Sequence, residues 1–185
     1  MCRNKCKLMV CRLFICGLIL CVVNGCTAVK PSGSSGSSKL FETFFVGEDG
    51  TQYFIKPLLF ESDDSGTLYC DYTFRYKDEV KDSVAMNFSI HHSEMTKHLD
   101  SVQVSSDEYK IVASPVKFLF NERESKLFES RFSVKFPLSQ FIRLMKEQHA
   151  LNMTLYEREG ERYYQSTDKA EKNIKKLHRE VFVLF

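Results

Sequence analysis

A mainly β fold is predicted for the body of this chain: an antiparallel β-sandwich or strongly curled sheet with two covering helices. Three observations predict it. Apolar and polar residues alternate with period two over several long runs. Turn-forming residues separate those runs. Only two stretches, about 138–149 and 168–181, carry helical spacing instead.

The elements follow in chain order. Asp49 and Gly50 part "FETFFV" from "QYFIKPLLFE", which reads as a hairpin. Asp64, Ser65 and Gly66 mark a second turn. In "TLYCDYTFRY" the residues Leu68, Cys70, Tyr72, Phe74 and Tyr76 share one strand face. Val84, Met86, Phe88 and Ile90 do the same in "SVAMNFSIHH". A further hairpin has arms carrying Val116, Phe118 and Phe120, then Phe128, Phe132, Val134 and Phe136, about a polar turn at 121–125. "LSQFIRLMKEQH" aligns Leu138, Phe141, Ile142 and Met145 on one helical stripe, with Ser139 as the expected N-cap. Glu159 and Gly160 turn "LNMTLYE" into "RYYQ". Asp168 with Glu171 three residues on resembles a capping box, and Ala170, Ile174, Leu177 and Val181 continue the stripe. The final "VFVLF" suits a continued helix or a strand.

The N-terminal segment differs in kind. Six of the seven cysteines lie at or before Cys26, so the cysteine count signals no disulfide framework. Arg3, Lys5, Lys7 and Arg12 precede an uninterrupted apolar run, residues 13–23. A helix of that length spans roughly 16 Å against a hydrocarbon core of ~30 Å. It is too short to cross and has the layout of a secretory signal. The chain holds 26 basic and 24 acidic residues, and four of the basic ones belong to this segment. The remainder is slightly acidic, which gives no footprint for nucleic acid.

Val23-Asn24-Gly25-Cys26 closes the run and resembles the lipobox of bacterial lipoproteins. Gly25 fits the small residue before the cysteine, and Val23 the apolar residue three before it. Asn24 departs from the commoner Ala or Ser. The resemblance implies cleavage before Cys26, lipidation of its thiol, and attachment to a membrane. It divides the chain into a signal peptide (1–25), a lipidated Cys26 with a Pro/Gly/Ser tether (26–39), and one β-rich domain (40–185). A flexible tether of that length has an r.m.s. span of roughly 20 Å and reaches at most about 45 Å. Ala28 stands where an Asp would resemble an inner-membrane retention signal, which implies the outer membrane. "CTAVKPS" lacks the acidic stretch that resembles a surface-export signal, which implies a periplasm-facing domain. Asp82-Ser83-Val84 and Asp100-Ser101-Val102 resemble the short O-glycosylation motif of Bacteroidota, making Ser83 and Ser101 candidate acceptors.

Candidate chemistry in the domain is sparse. Cys70 sits on the apolar face of the best-patterned strand, where a thiol packs as a small hydrophobe. "HHSEMTKH" gathers His91, His92, Glu94 and His98, and a short helix capped by Ser93 would set Glu94 and His98 one turn apart. The spacing is no zinc signature, and a solvated loop carrying no metal is expected. Asp63-Asp64 and Asp107-Glu108 fall in turn-like contexts. The chain contains no P-loop, no G-x-G-x-x-G and no G-x-S-x-G. Tyr53, Tyr69, Tyr163 and Tyr164 are candidates for an exposed ligand patch. The expectation is a lipid-anchored envelope protein acting as a non-enzymatic binding or assembly module, without cofactor, for a protein or glycan partner. The rival is a metal- or carboxylate-dependent hydrolase of envelope glycans or lipids, drawing on His91, Glu94 or His98 with an acidic residue.

Overall fold

The structure is a computed structural model and describes residues 39–77, 83–146 and 150–185. The predicted signal segment, the predicted lipidation site Cys26 and the predicted tether through residue 38 lie outside the described residues. So does the end of the first predicted helix, residues 147–149.

Ten strands form one antiparallel sheet: β1 (Phe41–Phe45), β2 (Thr51–Glu61), β3 (Thr67–Tyr76), β4 (Ser83–His92), β5 (Ser101–Ser105), β6 (Lys110–Ala113), β7 (Lys117–Glu124), β8 (Leu127–Pro137), β9 (Asn152–Glu157) and β10 (Gly160–Ser166). Their order is β6-β5-β9-β10-β2-β3-β4-β8-β7, with β1 added to β2. The helices are α1 (Leu138–Lys146) and α2 (Asp168–Glu180), and a 3-10 turn (Phe182–Leu184) follows α2. Of the two predicted architectures, the curled sheet is the one adopted: a half-barrel with two helices. The terminal strands β6 and β7 are consecutive in the chain, joined by residues 114–116, and β6 touches β8. That short link draws the two margins of the sheet toward each other.

The period-two pattern sets the concave face. Leu68, Cys70, Tyr72 and Phe74 of β3 are buried, as are Val84, Met86, Phe88 and Ile90 of β4. Phe132, Val134 and Phe136 of β8 complete this wall. Each such side chain contributes about 1.5–3 kcal/mol relative to exposure. Phe141 of α1 plugs the concavity, with ring centroids 4.8 Å from Tyr72, 5.5 Å from Phe182 and 5.8 Å from Phe136. α2 turns Ala170, Ile174 and Leu177 inward and packs against β2 and β10.

β2 has two different neighbours along one edge. Its first half pairs with β1, from Phe45↔Thr51 to Phe41↔Ile55. Its far end meets β10 through only Ser166↔Phe60 and Gln165↔Glu61. The register against β3 shifts between Ile55 and Leu58, across Pro57. Proline has no N–H to give the ladder and is tolerated at such a bulge.

Several local expectations need correction. Thr167, not Asp168, caps α2, its Oγ1 accepting from the Ala170 N–H at 3.3 Å. α1 starts at Leu138 straight out of β8, so Ser139 lies inside the first turn. The "VFVLF" segment is neither a continued helix nor a strand but the 3-10 turn. β7 does not bury its Phe residues: Phe118, Leu119 and Phe120 are all exposed. It is a margin strand with a register break between Phe118 and Phe120. A bulge there turns neighbouring side chains to different faces and defeats simple alternation. The β7–β8 turn is also tighter than predicted, centred on Ser125 (φ 57°) and Lys126.

Candidate functional site

A cavity of about 790 Å³ lies on the outer face where β2 and β10 barely pair. Leu59 and Gln165 lie along its base, and Tyr163 stands beside them with half of its surface exposed. Register places these residues on one face, because Gln165 opposes Glu61 and side chains alternate along each strand. The β2–β3 turn supplies Ser62 and Asp63, and the start of α2 supplies Asp168, Lys169 and Glu171. With Glu61, four carboxylates face one lysine.

Local structure fixes each wall. Thr167 donates from its N–H (3.2 Å) and its hydroxyl (3.3 Å) to the Leu59 carbonyl, tying the start of α2 to β2. Ser166 exchanges backbone and side-chain hydrogen bonds with Leu151. Asp168 and Glu171 occupy the first turn of α2, where negative charge complements the helix dipole. In the β2–β3 turn, Ser62 donates to Asp64, and the Gly66 N–H reaches Asp64 at 3.3 Å. These bonds, the Ser62 hydroxyl foremost, hold the Asp64 carboxyl below the usual carboxylate range against a smaller opposing effect of burial. Ser65 takes φ 66°. A side chain on Gly66 would meet Ser62 Oγ at 2.9 Å and the Tyr164 hydroxyl at 3.3 Å. The turn is therefore packed from behind by the buried Tyr164.

The histidines lie nearby but apart. His91 and His92 extend β4 and do not belong to the loop that follows. Alternation points them to opposite faces. His91 meets Tyr69 edge-on with centroids 5.4 Å apart, and its Nδ1 is 3.7 Å from Glu124. His92 Nδ1 accepts the Glu94 N–H at 3.0 Å, which leaves Nε2 to face Asp64 at 3.6 Å. The predicted helix after Ser93 does not form, so Glu94 and His98 are not set one turn apart. His98 pairs instead with Asp100 at 2.9 Å, beside a smaller cleft of about 330 Å³ bounded by Met95, Lys97 and Glu159. Among the described residues, no three His, Cys, Asp or Glu side chains are placed to hold one metal ion.

The four tyrosines do not make one patch. Tyr164 is fully buried on the concave side. Burial raises its phenol above the ordinary value. Tyr53 stacks on Phe74 with centroids 5.0 Å apart, and burial and then Tyr76 raise its phenol. Tyr69 and Tyr163 are exposed, and only Tyr163 lines the large cleft. Of the carboxylates singled out in the sequence, Asp63 lines that cleft. Cys70 is fully buried between strands, and burial pushes its thiol well up. Ser83 opens β4 in an exposed position, and Ser101 opens β5 half-buried opposite Tyr156.

A polar ladder crosses the outer face of β3, β4 and β8. Arg131 donates to Asp71 at 2.6 Å and to Ser89 at 2.8 Å, and Asn87 donates to Asp71 at 3.0 Å. These mutually paired groups clamp β3, β4 and β8.

No protein-family model, curated protein or solved structure matches this chain. No helix among the described residues is long and apolar enough to cross a membrane.

Proposed function

We propose that this protein is a lipid-anchored module of a bacterial envelope, held at the outer membrane with its domain in the periplasm, that binds a partner in the cleft between β2, β10 and α2. The observation that carries the anchor is sequence order. A lipobox-like Val23-Asn24-Gly25-Cys26 is followed by a Pro/Gly/Ser tract that runs directly into β1. One acyl chain binds a bilayer marginally and two hold it stably. The cleft supports a binding role through its composition. An exposed aromatic ring, a side-chain amide and several carboxylates suit a hydroxyl-rich glycan or a cationic peptide, which hydrogen-bond to such groups and stack on the ring.

Labelled palmitate tests the anchor: the parent chain incorporates it and Cys26→Ser does not. Label retained by Cys26→Ser overturns the lipoprotein reading. Tyr163→Ala tests the cleft, with loss of glycan or cationic-peptide retention expected and an unchanged fold by circular dichroism.

The same carboxylates favour a second reading, a glycan hydrolase using a carboxylate pair drawn from Glu61, Asp63, Asp168 and Glu171. Release of reducing ends from envelope glycan, lost in Glu61→Gln or Asp63→Asn, would establish it.

A further inference from the structure

We infer that the β1–β2 hairpin tip is a second, non-covalent membrane contact that seats the domain on a zwitterionic lipid surface. The inference rests on the lipoprotein reading for the local supply of membrane, and on the described residues for the contact itself. Six of the fourteen exposed large apolar side chains among the described residues lie at this end, including the two most exposed, and a second group lies on β7 and the turn after it. Phe45 is 59% exposed and Phe44 49%, with Val46 and Phe54 exposed beside them. Phe44 and Phe54 lie diagonally across the hairpin on its outer face, with ring centroids 5.6 Å apart. The segment after α2 arrives at the same end. Phe185 packs on Tyr76 at 4.2 Å, Tyr76 opposes Thr51, and Thr51 opposes Phe45. That contact leaves Val183 (61%) and Leu184 (65%) exposed near the tip. A soluble monomer rarely concentrates apolar surface in this way without a partner for it.

Chain length argues for a lipid occupant. The tether enters at Lys39, immediately before β1, whose five residues cover about 17 Å to the tip. A tether with an r.m.s. span of roughly 20 Å keeps the tip within reach of the bilayer that holds Cys26. Orientation argues the same way. The tip and the cleft lie at opposite ends of β2, whose 11 residues span at most about 36 Å. Docking the tip would turn the cleft away from the lipid. Glu48 and Lys77, both exposed near Gly50, carry opposite charges, so the tip has no net attraction to a strongly anionic surface and suits a zwitterionic one.

The chain contains no tryptophan, so an introduced one reports alone. The full-length Val46→Trp chain is reconstituted in phosphatidylcholine vesicles. Its emission is expected to shift to the blue and to be quenched by phosphatidylcholine brominated on its acyl chains. Tyr163→Trp, at the cleft, is expected to show neither effect, and Phe45→Asp in the Val46→Trp chain to lose both. Palmitate labelling of the same preparations reads the anchor separately. An unquenched Val46→Trp in palmitate-labelled protein overturns the docking surface and leaves the anchor standing. Quenching of a Cys26→Ser, Val46→Trp chain by added vesicles supports the docking surface whether or not the parent is lipidated. A blue shift that grows with protein concentration without vesicles means a second copy covers the tip, and overturns the proposal.

Discussion

The two ends of β2 solve the same problem, reversing the chain, with opposite chemistry. At Glu61 the reversal is polar and closed. Ser62, Asp64 and Gly66 bond to one another, His92 approaches from β4, and Tyr164 packs behind. At Thr51 the reversal is apolar and open. Gly47 and Gly50 take left-handed φ values of 61° and 88°, and the adjacent Phe45 and Val46 are left in solvent. Both turns close on their own backbone, here through Val46 N–H to the Gly50 carbonyl at 2.8 Å and Gly50 N–H to the Gly47 carbonyl at 3.2 Å, but one is flanked by polar side chains that bond to one another and the other by exposed apolar ones. The difference teaches where to look for a partner: a turn whose side chains bond to one another can serve as a wall, and exposed apolar side chains beside a turn are where a contact is to be tested.

The largest way to break the contrast is to remove its shared foundation at the apolar end. Phe74 touches Tyr53, Phe141, Phe182 and Phe185. Phe74→Ala should cost about 3–5 kcal/mol in urea unfolding, the range for buried aromatics. A loss below about 1 kcal/mol would show that the tip is not built on this core.

Gly50→Ala comes next. A Cβ there would overlap the Tyr76 carbonyl oxygen, and the residue sits at φ 88°. A loss of about 1–3 kcal/mol is expected, since strain and backbone overlap act together. An unchanged unfolding midpoint would mean the hairpin relaxes freely.

At the polar end, Thr167→Ala removes the α2 cap and a bond to Leu59. The expected cost is about 1 kcal/mol, measured by thermal or urea unfolding, together with weakened retention of any cleft ligand. Loss of ligand without loss of stability would sharpen the cleft's role beyond a helix start.

The smallest effect is in pH. The Asp64 carboxyl titrates below its unfolded value, so its contribution is full above about pH 4 and is lost as the pH falls through the folded-state value. The group is largely solvated, so the effect is screened and small. Asp64→Asn should flatten the acid limb of stability below pH 4, checked by urea midpoints from pH 2 to 7. An acid limb identical to the parent's would remove Asp64 as its source.

The strands facing the plug were legible because burial on one face imposes period two. β3 and β4 follow the pattern residue by residue, and Cys70 falls on the buried face as the alternation requires. The turn at Asp64, Ser65 and Gly66 was legible because its residue types suit it. β7 was not, since a sheet margin has no second neighbour and its bulge at Leu119 resets the faces. His91 and His92 closed the predicted β4 run and also opened the stretch read as a loop, and the structure keeps both in the strand and leaves the loop to the residues after them. The cleft had no signal in the sequence. Its walls come from residues 59–63 and 163–171, about 100 positions apart, and the long-range pairing of β2 with β10 joins them. Tyr163 was singled out as an aromatic off the core face, but Asp168 and Glu171 were read only as a helix start and Glu61 was not singled out.

The short pairing of β2 with β10 bears on how the domain breathes. Two residue pairs join the half-sheet β6-β5-β9-β10 to the half-sheet β2-β3-β4-β8-β7 along that boundary. Amide protons in opposing halves should then exchange through separate local openings, with those at Gln165 and Ser166 released before those of β3 and β4. A ligand bridging Tyr163 to Glu61 would act as a staple across the line of least resistance. Its occupancy would be recorded as slowed exchange on both sides at once, far beyond the residues it touches.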